Sequence, residues 1–334
     1  MWYNFVMKKI IRKVLGIVFI VCAVLLFIWN ENNFINKLSQ KDDISDRCIF
    51  IKSTSIDDKN DGKLVATNGY IILNDDLVDS LFNVSVRTSK LERVVEMYQY
   101  SEVQEVPTDE SYTYETDWYT EIIDSSKFKN PEYNNPTSMK YENKTYYNDT
   151  YLGAFELTNN QIDMLGTKSR YLDLDSDFAS KNNLNISNEY YTTSKDIDLP
   201  EVGDIRISFR YNSSSSVSVL AMQKGNTFDE YKLDNQLINK IYSEKLTKEE
   251  IINKSYDINI LSSLIFRVIS LILCLIGVIL LSFNIINSLI ILLLCTSIMY
   301  FKYNILITVV SFIVSLILIF IEYKYIYKNS KNVI

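Results

Sequence analysis

Four apolar runs are spread unevenly along this 334-residue chain, one at residues 10–29 and three crowded at 264–283, 285–301 and 305–321. About 20 apolar residues match the hydrocarbon core of a bilayer, and runs of about 17 sit at the lower limit of what crosses. Residues 31–257, between the first run and the second, contain no such stretch. A chain built this way is an integral membrane protein with one large domain held on one side. Three segments follow: 1–30 as N-terminus and first span, 31–257 as the domain, and 258–334 as the remaining spans and C-terminus.

Composition agrees once the chain is divided. Mean hydropathy is near zero overall, but it averages two regimes. Residues 31–257 carry 25 Lys+Arg against 40 Asp+Glu, while the flanking segments are each net positive. Such asymmetry reports topology rather than fold. Lys8, Lys9, Arg12 and Lys13 precede or open the first run, and Lys324, Lys328 and Lys331 follow the last. Four spans put both ends on one side, so the basic ends are expected in the cytoplasm and the acidic domain in the exterior or a lumen. Trp29, Tyr323, Tyr325 and Tyr327 suit the interfacial aromatic belt. Phe27-Ile28-Trp29-Asn30 lacks the small residues of a cleavage site, so the first run is expected to be an uncleaved signal anchor. The two short C-terminal runs either cross fully or form a re-entrant hairpin.

Few residues point to chemistry. The chain has no His, which removes Ser-His-Asp and Cys-His catalysis and the usual zinc sets. Cys22, Cys274 and Cys295 lie in the runs, where Cys behaves as a small apolar residue. Cys48 is the sole thiol of residues 31–257 and has no partner there, so it is free or bridges two chains. Arg267 is the charge inside a span; near its start, the long side chain is expected to reach the interface. Runs two to four hold no Pro and no carboxylate before Glu322, unlike the broken helices of secondary transporters. Asp173-Leu174-Asp175-Ser176-Asp177 lacks the Gly and Glu of a calcium loop, with Phe178 and Leu184 in their places. Asp57-Asp58-Lys59 fails at its third position. Both read as solvated turns. Asn83, Asn143, Asn148 and Asn185 open glycosylation sequons, which matter only in a eukaryotic lumen. Paired carboxylates, the raw material of a glycosidase, are unavoidable by chance among so many acids. A domain this acidic is a poor partner for nucleic acid. No catalytic, cofactor-binding or metal-ligating residues are assigned.

The domain reads as mostly β. Ile205, Ile207 and Phe209 alternate on one face, a polar cluster follows at 212–215, and Val217, Val219 and Ala221 resume the pattern: strand–turn–strand. Residues 94–100 and 112–119 bracket Pro107-Thr108-Asp109-Glu110 as a hairpin. Residues 63–73 predict a further hairpin with Asn68-Gly69 as its type I′ turn. Residues 128–139, with Asn130-Pro131 and Asn135-Pro136, predict a loop. A short helix is expected over 157–165. Thr247-Lys248-Glu249-Glu250 is a capping box that opens another helix, expected to lie along the membrane surface or to lead into the second span.

Several stretches carry a resemblance. They are Trp29-Asn30-Glu31; Val95-Glu96-Met97-Tyr98-Gln99-Tyr100; Tyr112-Thr113-Tyr114 with Trp118; Asn135-Pro136 with Ser138-Met139; and Leu152-Gly153-Ala154-Phe155. The most specific is Pro200-Glu201-Val202-Gly203-Asp204-Ile205-Arg206-Ile207-Ser208-Phe209, followed by Val219-Leu220-Ala221-Met222-Gln223-Lys224-Gly225. With the one-plus-three span layout, the chain resembles the transmembrane protein 43 (LUMA) family. It departs at Asn32-Asn33, where the family usually has Gly-Arg, and in a shorter turn at 211–217. The resemblance implies an α+β membrane protein: four transmembrane helices, one N-terminal and three C-terminal, with a large β-rich lumenal or extracytoplasmic domain. It also implies a non-enzymatic scaffold that self-associates and organises other membrane proteins, without a cofactor. Its animal members occupy the endoplasmic reticulum and inner nuclear membrane; a bacterial one would lie in the plasma membrane. A pore or channel component is the alternative, with Ser282, Asn284, Asn287, Thr296 and Ser297 as polar lining, although such residues more often hydrogen-bond between helices.

Overall fold

The computed structural model describes residues 2–104, 111–234, 236–281 and 285–331. The expected turn at 107–110, and Ser282 and Asn284, lie outside the described residues; so do the side chains of Tyr323, Tyr325 and Tyr327. Seven α-helices are described: α1 (Trp2–Arg47), α2 (Asn159–Leu165), α3 (Ser176–Lys181), α4 (Lys248–Ser255), α5 (Ile260–Leu281), α6 (Ile285–Tyr300) and α7 (Ile305–Lys331). Met1–Asp46 with Tyr256–Ile334 form one compact unit, and Arg47–Ser255 form the other.

The first unit is helical. By length and composition α1, α5 and α7 can each cross a membrane, whereas α6 is a shorter apolar helix. Its 16 residues rise about 24 Å, less than the ~30 Å of a hydrocarbon core. Of the four spans expected from the sequence, three correspond to helices long enough to cross, and the third in chain order corresponds only to the shorter α6. The sequence shows why α6 is short: residues 301–303 turn, and the Asn304 side chain accepts from Ile307 N at 3.1 Å to open α7. Meanwhile α1 does not end with its apolar run. No Gly or Pro occurs between Gly16 and Gly62, and the helix continues through residues read from sequence as the start of the domain.

The second unit is built on two sheets. In the first, Leu64–Leu73 pairs along residues 64–70 with Ser216–Lys224, and along residues 71–73 with Thr150–Leu152. Thr150–Leu152 turns back into Phe155–Glu156, which lies parallel to Thr227–Asp229, and that strand returns to Ser216–Lys224. The pairings close a ring. Val65, Leu152, Phe155, Val217, Val219 and Phe228 fill it, joined by Ile162 and Leu165 of α2. The turn expected at Asn68-Gly69 is absent, because Leu64–Leu73 is one continuous strand. Gly69 serves a different purpose. A Cβ there would lie 2.7 Å from Ser53 Oγ and 2.9 Å from Leu152 Cδ1, so Gly lets the neighbouring chain cross close by.

The second sheet centres on Lys90–Gln104. Ile205–Tyr211 lines one edge; Lys144–Tyr147 and Tyr112–Tyr119 share the other. The hairpin expected over 94–119 is present, with Met97 opposite Tyr119 and Gln104 opposite Tyr112. The strands expected around 205–221 are present too, but they do not pair with each other. Ile205–Tyr211 belongs to this sheet and Ser216–Lys224 to the ring. Phe82 stacks on Tyr191 at 5.9 Å and meets Phe209 edge-on at 5.6 Å, forming the aromatic centre of this core.

Both expected helices occur. Thr158 and Gln161 form a capping box that opens α2. Thr247 N donates to Glu250 Oε2 at 2.8 Å, and Glu250 N donates to Thr247 Oγ1 at 3.4 Å, opening α4. Ile251 and Ile252 of α4 are buried within the domain, so its apolar face is not left for a membrane surface.

Candidate functional site

Between residues 16 and 31 of α1 the buried positions are Gly16, Ala23, Phe27, Asn30 and Glu31; along α5 they are Ser263, Ser270, Cys274, Gly277 and Val278. Both sets advance by alternating steps of mainly three, four and seven residues, the spacing that keeps one seam of a helix facing a neighbour. The helices run antiparallel, since Gly16 meets Gly277 while Asn30 meets Ser263. Small residues let the backbones approach: a Cβ on Gly16 would lie 2.8 Å from the Gly277 carbonyl oxygen.

At the other end of this seam the small residues give way to a polar clamp. Arg267 donates from Nε to Glu31 Oε1 at 2.5 Å and from Nη2 to Oε2 at 3.0 Å. Asn30 Nδ2 lies 3.2 Å from each of Glu31 Oε1, the Ser263 carbonyl and Ser263 Oγ. The guanidinium sits 5.2 Å above the Phe34 ring. The turn between α6 and α7 joins in: Tyr303 OH lies 2.9 Å from Asn32 Oδ1, and Lys302 Nζ donates to the same oxygen at 3.2 Å. Trp29 and Phe266 meet edge-on at 5.7 Å beside it.

Arg267 is thus placed differently from its sequence reading. It is paired with a carboxylate rather than merely reaching for the interface. The sequence offers Glu31 only within the Trp29-Asn30-Glu31 stretch, because its partner is 236 residues away. One signal was available: residues 27, 30, 31 and 34 share a helix face that continues the apolar seam.

A second polar tie joins α6 to α7. Ser297 and Ser311 hydroxyls lie 2.8 Å apart. With its amide nitrogen turned toward α7, Asn287 donates to the Glu322 carboxylate at 2.7 and 2.9 Å. Thr296 Oγ1 donates to the Leu293 carbonyl within its own helix. Of the residues proposed as a polar lining, Asn287, Thr296 and Ser297 are therefore engaged with protein groups.

Charged groups of the second unit are also paired inward. Arg93 Nη1 donates to both Asp79 oxygens at 3.0 and 2.8 Å, and its Nε donates to the Glu142 carbonyl at 2.9 Å. Lys90 Nζ bridges Glu92 at 2.6 Å and Asp163 at 2.8 Å. Burial opposes the charges of this triad, yet the hydrogen bonds and ion pairs outweigh it. Lys90 is held above its ordinary pKa, and Glu92 and Asp163 below theirs. Cys48 is buried, and burial pushes its thiol up to about 11 against the opposing charge of Lys248. A protonated, enclosed thiol is a poor candidate for bridging two chains.

The acidic runs prove to be caps. Asp175 Oδ1 accepts from the amides of Asp177 and Phe178 at the start of α3, and Asp57 Oδ1 accepts from Lys59 N. All four sequon amides donate to protein oxygens: Asn83 to Asp175, Asn143 to Thr120, Asn148 to Asp75 and Thr88, and Asn185 to Ser194.

Residues 91–326 match the family described as Transmembrane protein 43. The chain belongs to that family. It is 29% identical over 197 residues to Transmembrane protein 43 of Homo sapiens, covering 51% of this chain and 48% of that protein. The Mus musculus protein is 29% identical over 203 residues, covering 53% of this chain and 49% of that one. The Transmembrane protein 43 homolog of Drosophila melanogaster is 25% identical over 236 residues, covering 65% and 61%. The match spans about half the length of the mammalian relatives. No solved structure matches the chain.

The family-like stretches meet in space. Val95–Tyr98 and the strand opened by Pro200–Asp204 are neighbours, and Arg206 clasps Glu96 at 2.7 and 3.1 Å between the rings of Trp118 and Tyr190. Asn135 exchanges hydrogen bonds with Tyr100, accepting from its N–H at 2.8 Å and donating to its carbonyl at 2.9 Å. A side-chain amide there takes the place of a neighbouring strand, and this holds the expected loop in place.

Proposed function

We propose that this transmembrane protein 43 family member is a non-enzymatic membrane scaffold. In this reading four spans carry the β-rich domain on the extracytoplasmic side, and both termini are cytoplasmic. It associates with copies of itself and with other membrane proteins, in the endoplasmic reticulum and inner nuclear membrane of a eukaryote or the plasma membrane of a bacterium. The observation that carries the reading is the antiparallel seam of α1 and α5, closed by Glu31 and Arg267. It brings the end of the first span and the start of the second to one end of the helix pair, as a two-point mount requires. The short α6 is accommodated by local thinning and by flanking residues such as Lys302, at modest cost per ångström of mismatch. Arg206–Glu96 supports the same reading, since it ties together segments 110 residues apart.

Crosslinking in native membranes, followed by mass spectrometry, tests the proposal. Links between copies and to other membrane proteins are expected. A monomer without neighbours would overturn it. The pore reading is the alternative, although Asn287, Thr296 and Ser297 are engaged with protein groups. Conductance from reconstituted protein, lost on Ser297→Ala with Ser311→Ala, would establish it in place of the scaffold.

A further inference from the structure

The second sheet ends on one long edge. Tyr112–Tyr119 has eight residues, whereas the opposite edge, Asn185–Ser187, has three. On the neighbouring strand, Tyr98 turns its backbone away from Tyr112–Tyr119. Its N–H donates to the Asp204 carbonyl at 2.8 Å, and its carbonyl accepts from Gly203 N at 2.9 Å. Tyr100 likewise turns its backbone toward Asn135. Facing residues of an antiparallel ladder exchange both hydrogen bonds or neither. Trp118 and Thr116, opposite Tyr98 and Tyr100, therefore point their N–H and C=O groups outward, as does Tyr114 opposite Glu102. Trp118 N is met by the Asp117 carboxylate at 2.7 Å. No described residue pairs with the backbone of Tyr114 or Thr116.

Exposed edges of this length are ordinarily blunted by Lys, Pro or a bulge. Residues 112–119 contain neither Lys nor Pro, and their register runs unbroken. Their charge is one-sided. Residues 94–126 hold nine Asp and Glu and no Lys or Arg. Glu115 and Asp117 are exposed and share one face of the strand. The nearby cations, Arg206 over Trp118 and Lys129 over Tyr112, attend rings of the other face. Charge disfavours a second copy as the occupant, since edge-to-edge pairing would bring four carboxylates onto neighbouring strands.

We infer that this edge receives an extended, basic segment of another protein by strand addition. The backbone of the incoming strand completes the ladder at Tyr114 and Thr116. Lys or Arg at two alternate positions stands beside Glu115 and Asp117, and β-branched or aromatic residues between them stand beside Tyr114, Thr116 and Trp118. The inference rests on the strand and its charge and not on the scaffold reading.

The test uses the full chain in nanodiscs and a labelled peptide of alternating Lys and Val, as long as the strand, read by fluorescence anisotropy. One variant peptide is N-methylated on its Lys amides and another on its Val amides. Alternate amides of an added strand face the edge and the solvent in turn, so one variant should lose about tenfold or more in affinity and the other should bind like the parent. Thr116→Pro removes an outward N–H while sparing the existing ladder, and it should weaken binding by a similar factor. Glu115→Gln with Asp117→Asn should weaken binding and flatten its dependence on salt. No binding of the parent peptide would overturn the inference. Equal binding of the two N-methylated peptides would do so too, since it would leave charge attraction without strand addition. Crosslinks between copies that vanish in Thr116→Pro would assign the edge to a second copy and overturn it equally. Because the N-methylated peptides are compared on the wild-type chain, a variant that fails to fold leaves the test intact.

Discussion

Each unit of this protein buries an arginine–carboxylate pair, and the two pairs are buried to different degrees. In the β-rich unit the Arg93 and Asp79 side chains are 6% and 0% exposed; in the helical unit Arg267 and Glu31 are 29% and 6% exposed. Neither Arg93 nor Asp79 has a route to water if its partner is lost. Arg267 does, because a long side chain near a helix start can reach the interface, whereas the shorter Glu31 side chain cannot. The lesson is that the cost of breaking a buried pair depends on the escape route of the survivor. The β-rich pair should be symmetric in its response and the helical pair lopsided.

The largest expected effect comes from breaking the symmetric pair. Arg93→Met or Asp79→Ala should each destabilise the β-rich unit by about 3–5 kcal/mol, the cost of stranding a buried charge. Denaturant unfolding of the full chain in detergent, read by Trp118 fluorescence, measures this. Replacing both partners with apolar residues should recover most of the loss. A mild single-variant effect would mean that water already reaches Asp79.

The helical pair comes next. Arg267→Leu should cost about 2–3 kcal/mol, because it leaves the buried Glu31 carboxylate unpaired. Glu31→Leu should cost roughly 1 kcal/mol, because the arginine can turn outward. Thermal unfolding in nanodiscs ranks the two. Equal losses would remove the lopsidedness on which the comparison depends.

Smaller effects sharpen the picture of the β-rich unit. Asn135→Ala strands the amide and carbonyl of Tyr100 and should cost about 2 kcal/mol, in line with buried polar groups left unpaired. Thr247→Ala removes a helix cap and should cost about 1 kcal/mol. Both are read as shifts in the denaturant midpoint.

The weakest prediction concerns acid. Glu92 has a lower pKa in the folded chain than its ordinary 4.5, so the unfolded chain binds its proton first. Its contribution is fully present above that ordinary value and is lost as pH falls through the lower folded one. Lys90, raised from 10.5, contributes below its ordinary value and loses that contribution as pH rises through the folded one. Glu92→Gln should flatten the acid limb of a stability–pH curve. An unchanged limb would show that Glu92 contributes nothing to it.

What the sequence made legible followed from periodicity. The apolar runs fix the membrane helices, and alternation at 205–209 and 217–221 finds real strands. Alternation names a strand's faces but not its neighbour, which is why two strands four residues apart could be read as one turn-linked unit and yet enter different sheets. Gly69 misled for a related reason. Asn-Gly is the strongest short turn signal, but here Gly answers a close crossing by Ser53 that no local window contains. Arg267 reads as a charge within a span and Glu31 as part of a family motif, and their pairing is invisible until α1 and α5 are docked. The buried spacing Gly16, Ala23, Phe27, Asn30 against Ser263, Ser270, Cys274, Gly277 was in plain view, hidden only by the uniform apolarity around it.

A double-mutant cycle on Glu31 and Arg267 tests the clamp most directly. Glu31→Ala, Arg267→Ala and the double variant are compared by unfolding in nanodiscs of fixed lipid composition. Coupling above about 1 kcal/mol is expected, with the double variant losing less than the sum of the singles. Losses that add within about 0.5 kcal/mol would show that the two residues act independently and that α1 and α5 are not held by this pair.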